Sequence, residues 1–275
     1  MKLKKLYTHN NKKQIWRILP TSTNKIVIEE RDSASKEVFF TCLNLQSGKK
    51  VFDGYQLDEK NWCGIESIYK DVIYFHAYGK PDMPTHKGII AFDINKQTIL
   101  WQSSQYVFSF IYDDKLYCSQ QRFESKAFFA LDYLSGKILE DVSTDQSEIN
   151  LLKEKSDNMF WEENYFFPEY FNRTSPVIEK HQKYLQQILD DKVIKGEISF
   201  LMINDLLLFN YHEVSKTNKL NNQFNAVDLT RNKTLVNETL DKDLINLMPE
   251  SFFVKDNFLF LIVDKTKLVV YQIKE

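Results

Sequence analysis

One phrase returns along the chain and limits what it can fold into. A turn bearing Asp or Asn is followed by an apolar strand, a variable connection, and a strand that carries Asp or Asn just before a second short turn. The first turn recurs at Thr23-Asn24-Lys25, Lys70-Asp71-Val72, Asp113-Asp114-Lys115, Asn204-Asp205-Leu206 and Lys255-Asp256-Asn257. The strands after these turns read KIVIEE, VIYFHAY, KLYCSQ, LLLFNYH and FLFLIV. The step is roughly 45 residues, with one doubled step between Asp114 and Asp205.

The second half of the phrase is sharper. It reads FFTCLNLQSGKKVF, GIIAFDINKQTILW, AFFALDYLSGKILE and FNAVDLTRNKTLV, with Asn44, Asp93, Asp132 and Asp228 at the shared position. Alternating apolar residues predict strands, and a carboxylate or amide before a tight turn predicts a cap on the turn's free N–H groups. Gly48 and Gly136 stand where such a turn takes positive φ. These aspartates therefore read as turn caps rather than metal ligands.

The pattern A-φ-D-φ-x-x-G-K-φ-φ-W, where φ is apolar, resembles the repeat of the quinoprotein alcohol dehydrogenases and of related non-enzymatic propellers such as the outer-membrane assembly lipoprotein. Asp93 and Trp101 match it best, and Asp132, Gly136 and Lys137 match it without the tryptophan. The resemblance spans about two thirds of the chain. It implies an all-β propeller of four-stranded blades in which tryptophans dock neighbouring blades, and Trp101 is the one kept here. The aromatic FPEYF run followed by a helix is similar to an uncharacterised bacterial propeller family that has no known activity to lend.

Repeats of this size suit propeller blades. The expected fold is a β-propeller of five regular four-stranded blades, as one domain over residues 1–275. First strands are predicted at 14–19, 62–69, 105–112, 197–203 and 251–255. The last blade lacks a fourth strand and KLKKLY at the start is an orphan, so residues 2–7 are expected to pair with 267–273 and close the ring. Residues 141–195 are read as a degenerate sixth blade or a helical insertion. Two strands are expected around Asp157-Asn158, then a helix capped by Ser175 with Pro176 at its first position and a stripe through Val177, Ile178, His181, Tyr184, Leu185, Ile188 and Leu189.

Composition serves mainly to exclude. Lys and Arg number 36 against 38 Asp and Glu, which is no footprint for a nucleic-acid binder. The 21 Phe and 14 Tyr suit rings packed between sheets. Cys42, Cys63 and Cys118 lack metal spacing and sit in apolar runs, which points to a reducing compartment and a cytoplasmic location. The basic start carries no apolar signal core, and no run is long enough to span a membrane.

Chemistry-bearing motifs are sparse: GxSxG, P-loop, GxGxxG and HExxH are all missing. Long connections at 31–36, 53–61, 79–87, 122–126 and 213–222 are expected on one rim, the usual place for binding on a rigid scaffold. Arg31, Asp82, His86 and Arg122 are the ligand-binding candidates. His86 has no second His or Cys close in sequence, so no metal set, cofactor or catalytic residue is expected. The aromatic run 159–171 reads as core of the irregular segment or, where exposed, as a partner patch. Two functions follow: a non-catalytic, monomeric module binding a protein, peptide or small molecule, or an enzyme using a central funnel as quinoprotein-like dehydrogenases or hydrolases do.

Overall fold

In the computed structural model, residues 1–80, 83–123, 125–142, 146–162, 164–249 and 251–274 are described. The chain forms two compact units, Lys13–Glu163 and a unit made of Met1–Lys12 with Asn164–Glu275.

The first strand, β1 (Lys2–Asn10), belongs to the latter unit. The former is built from three antiparallel meanders of the β-propeller blade type. The first comprises β2 (Gln14–Pro20), β3 (Lys25–Arg31), β4 (Val38–Asn44) and β5 (Lys50–Tyr55). The second holds β6 (Cys63–Tyr69), β7 (Val72–Lys80), β8 (Met83–Asp93) and β9 (Thr98–Ser103), and the third β10 (Val107–Tyr112), β11 (Lys115–Gln121), β12 (Lys126–Asp132) and β13 (Ile138–Val142). Facing sheets bury one another's alternate residues. Val27, Phe40 and Cys42 meet Ile65, Phe75 and Phe92 between the first and second sheets. Tyr74 and Ala91 meet Cys118 and Phe129 between the second and third. The other face of the third sheet, with Phe110, Tyr117 and Phe128, is covered by helix α1 (Gln146–Glu162) through Ile149 and Leu152.

Helix α1 corrects the expectation of two strands around Asp157-Asn158. Ile149, Leu152 and Ser156 share one helical face, and Ser156 Oγ donates to the Ile111 carbonyl at 2.7 Å. Burying that face closes a sheet that would otherwise expose its aromatics, and this outweighs the weak strand pattern.

In the other unit, β14 (Tyr165–Phe166) and β15 (Glu169–Phe171) precede helix α2 (Lys180–Asp191). Next come β16 (Ile194–Ile203), β17 (Leu206–Val214), β18 (Leu220–Asp228) and β19 (Lys233–Leu244), which form one meander with β15 at its edge. The last sheet runs β1-β22-β21-β20-β14, from β20 (Phe252–Lys255), β21 (Phe258–Val263) and β22 (Lys267–Lys274). Strand β1 thus completes the sheet made by the end of the chain, with Leu3 opposite Ile273 and Tyr7 opposite Val270. Helix α2 packs Leu185 and Leu189 on Phe171, Ile198 and Phe209. Its start lies later than expected: Glu179, not Ser175, is the cap, and the Glu179 N–H donates to Gln182 Oε1 at 2.8 Å. Ser175 is engaged by Asn172 instead, and Val177 and Ile178 are exposed rather than on the stripe.

The turn caps stand as the residues predict. Asn44 Oδ1 accepts from the Ser47 N–H at 2.9 Å, and Asp93 Oδ1 from Asn95 and Lys96 at 2.9 Å. Asp132 accepts from Ser135 at 2.8 Å and Asp228 from Arg231 at 3.0 Å.

One buried histidine sets an acid limit on this unit. His212 Nε2 accepts the Met248 N–H at 3.0 Å, and burial holds its pKa below the usual histidine value. The folded state keeps the ring neutral while the unfolded chain protonates below about pH 6.5, so stability is lost as pH falls through that value. A melting series from about pH 7 to pH 5 should show this decline, and His212→Gln should flatten it. An unchanged slope would assign the acid sensitivity elsewhere.

Candidate functional site

Two of the candidates, Arg31 and His86, lie on one edge of the first two sheets of Lys13–Glu163. Two β-bulges build it. The β2–β3 register shifts between Ile15 and Arg17, and the β6–β7 register shifts between Ile65 and Ser67. Each leaves one residue extra, Trp16 and Glu66, and a bulge re-aims such a side chain. Arg17 ties the two bulges together by donating through Nη1 to the Ile65 carbonyl.

Around Trp16, which is 52% exposed, lies a cleft of about 220 Å³ lined by Gln14, Arg31, Asp32, Ser33 and Lys36. The Arg31 guanidinium lies on the Trp16 ring, 4.4 Å from its centroid, and pairs with the buried Glu29 at 3.1 Å. Arg31 Nε is buried without a hydrogen bond among the described residues. Glu29 also accepts the Ile65 N–H at 3.2 Å. Asp32 folds its own loop by accepting from Ala34 and Ser35, and those N–H groups hold its carboxyl below the usual range. The edge continues through one side-chain and one backbone hydrogen bond. Asn61 donates to the Ser35 carbonyl at 3.1 Å, and Tyr78 N–H to the Trp62 carbonyl at 2.9 Å. Trp62 is 45% exposed and packs edge-on against Tyr78.

Behind these rings sits a histidine pair. Strand pairing puts Gly64 opposite His76 and Tyr78 opposite His86. His76 and His86 therefore share a sheet face, and their rings stack 3.6 Å apart at 13°. Tyr78 stands edge-on to both. His86 Nδ1 hydrogen-bonds Glu66 Oε1. His76 is only 1% exposed, and neither ring nitrogen makes a hydrogen bond of normal geometry among the described residues. Burial, and after it the neighbouring His86, pushes the His76 pKa down to about 4, so the ring is neutral near pH 7. Gly64 makes room for it: a Cβ there would lie 2.9 Å from His76 Nε2. One donor atom from each of Glu66, His76 and His86 lies within 4.8 Å of the others. Cys63, next to Gly64, is a buried thiol pushed up to about 12 and is no nucleophile.

Of the four sequence candidates, Arg31 and His86 come together here; both act electrostatically on His76. Arg122 lies exposed in its own loop, where its N–H donates to the Ser125 carbonyl at 2.9 Å, and it shares no contact with this cluster among the described residues. Asp82 lies outside the described residues. The connection 79–87 is not the long loop expected, because β7 and β8 continue their ladder to Lys80 opposite Met83. That extension is what aligns His86 with Tyr78. Sequence reading missed Trp16, Trp62, Glu66 and His76 as members of the site. Counting back across the 79–87 hairpin would have put His76 beside His86, but nothing in the residues announces the two bulges. The aromatic run 159–171 splits: Phe171 is core, while Phe166, Phe167 and Tyr170 are exposed.

A family described as a domain of unknown function (DUF4905) matches residues 19–101, a span that holds Arg31, Trp62, Glu66, His76 and His86 and begins after Trp16. No curated protein matches the chain. Among solved structures, the β-propeller domain of the Trilobed protease from Pyrococcus furiosus, described as having an open velcro topology, is similar at 11% identity with a TM-score of 0.32, over 97% of this chain and 70% of that one. BamB from Moraxella catarrhalis is similar at 9% identity with a TM-score of 0.27, and the match covers 93% of this chain but only 58% of BamB.

Proposed function

We propose that the chain is a non-catalytic binding module, a β-propeller whose five meanders are its blades and whose residues 141–195 are a helical insertion that lends β14 and β15 to the edges of two of them. Its ligand is a protein or peptide segment that presents an aromatic or apolar residue beside an acidic one. The observation that carries this reading is the Arg31 guanidinium laid on the exposed Trp16 at the mouth of the 220 Å³ cleft. Trp, Tyr and Arg are the side chains that dominate protein interfaces when they stand together, and Trp62 and Tyr78 extend the same edge. Lys13 and Lys36 add positive charge around the cleft, while Asp32 is occupied by its own loop. Three buried free thiols support a reducing, cytoplasmic setting. Among the described residues no helix is long and apolar enough to cross a membrane.

Selection of a random peptide library on the immobilised chain, counter-selected on a Trp16→Ala/Arg31→Gln variant, tests the reading. Enrichment of peptides pairing an aromatic with an acidic residue, lost on the variant, is the expected result. Peptides that bind both chains equally, or no enrichment at all, would refute it.

A further inference from the structure

We propose that Glu66, His76 and His86 form a binding site for a divalent transition-metal ion of the zinc class. The site goes beyond the peptide-binding reading and does not depend on it. Three adjacent strands of one sheet deliver the donors, Glu66 from the β6 bulge, His76 from β7 and His86 from β8, so the ladder itself holds them in place. Two imidazoles and a carboxylate are the donor set that zinc-class ions take with a fourth position left open. The three donor atoms already lie within 4.8 Å of one another.

The strongest sign is His76. Burying an imidazole with both nitrogens lacking a normal hydrogen bond costs free energy, and His76 is the one side chain among the described residues with two such atoms. An ion would satisfy one of those nitrogens. The rings are stacked nearly parallel, so their in-plane lone pairs do not yet converge on one point. One ring has to fan outward. His86 is the one free to do so, being 30% exposed at its side chain while His76 is enclosed. The ion then takes the place of the hydrogen between His86 Nδ1 and Glu66, and His86 carries its proton on Nε2. Arg17 and Arg31 are the nearby opposing charges; Arg17 is turned onto the Ile65 carbonyl, and the pairing of Arg31 with Glu29 offsets the other.

The test uses the full chain, freed of metal with a chelator and titrated with zinc chloride by calorimetry, then with cobalt(II) followed by its visible absorption. One zinc per chain is expected, together with a cobalt spectrum of a four- or five-coordinate ion. Glu66→Gln and His86→Gln each remove a donor from a partly exposed position, so both variants should fold. Each should weaken binding by about 10–100-fold or more, by analogy with the smaller losses that supporting residues alone cause. Melting both variants in chelator confirms that the loss is not one of folding. Failure of the parent chain to bind zinc saturably would overturn the proposal. So would one-to-one binding that survives in both variants, since the ion would then sit on other residues such as His9, His181 or His212.

Discussion

Deleting residues 1–8 should lower the melting temperature sharply and make the protein prone to aggregate. Strand β1 pairs with β22 from Lys2 opposite Lys274 to Asn10 opposite Lys267, and the deletion leaves only the last two positions of that ladder. Each lost backbone hydrogen bond costs on the order of 1 kcal/mol net. Leu3 also leaves the core it shares with Leu259, Val269 and Ile273. The sum is several kcal/mol, a large share of the roughly 5–15 kcal/mol that holds a typical domain together. The aggregation follows from what is uncovered. Without β1, the backbone of KLVVYQIK becomes an open edge rich in β-formers, a template for another chain. Calorimetry and light scattering on the truncated chain provide the measurement, and a synthetic peptide of residues 1–10 added in trans should recover part of the lost stability. A truncated protein that melts like its parent would mean that the β1 ladder adds nothing to the fold.

That pairing was legible because it is a matter of arithmetic: one sheet short of a strand and one strand without a sheet. The turn caps at Asn44, Asp93, Asp132 and Asp228 were legible for a similar reason, since a short polar side chain before a tight turn has a single good use. The segment 141–195 was harder. Its apolar residues are spread thinly enough to fit either period, and the choice of helix for 146–162 depends on which sheet face stands bare, a tertiary fact that local pattern does not carry. The site was legible only in fragments. Arg31 and His86 were singled out because the sequence pattern puts both in long connections, although the structure places His86 inside β8. Glu66 and His76 join them through a bulge and a strand register, and both are relations between strands rather than properties of any residue. Trp16 was hidden because an aromatic residue in an apolar strand reads as core, whereas here it is exposed beside the buried Ile15.

Gly136→Ala should destabilise the protein by about 2–4 kcal/mol, and the cost should depend on Trp101. Gly136 closes the turn between β12 and β13 at φ +68°, which alone costs an alanine about 1 kcal/mol. Its missing side chain is also occupied space: a Cβ would lie 2.5 Å from Cδ2 of Trp101, which reaches across from the second sheet. Overpacking of this kind costs about 1–3 kcal/mol. Trp101 Nε1 donates to the Tyr133 carbonyl at 3.4 Å, and Tyr74 Oη donates to the same oxygen at 2.8 Å, so the indole, the tyrosine and the turn form one joint between sheets. The backbone and steric parts can be separated with a double-mutant cycle. In a Trp101→Ala background the Cβ meets empty space, and Gly136→Ala should then cost only the φ penalty. A coupling near zero would mean that the tryptophan does not dock this turn. A coupling on the order of 1–3 kcal/mol would show that a glycine in one repeat and a tryptophan in the preceding one were placed by the same constraint, the distance at which two such sheets can pack.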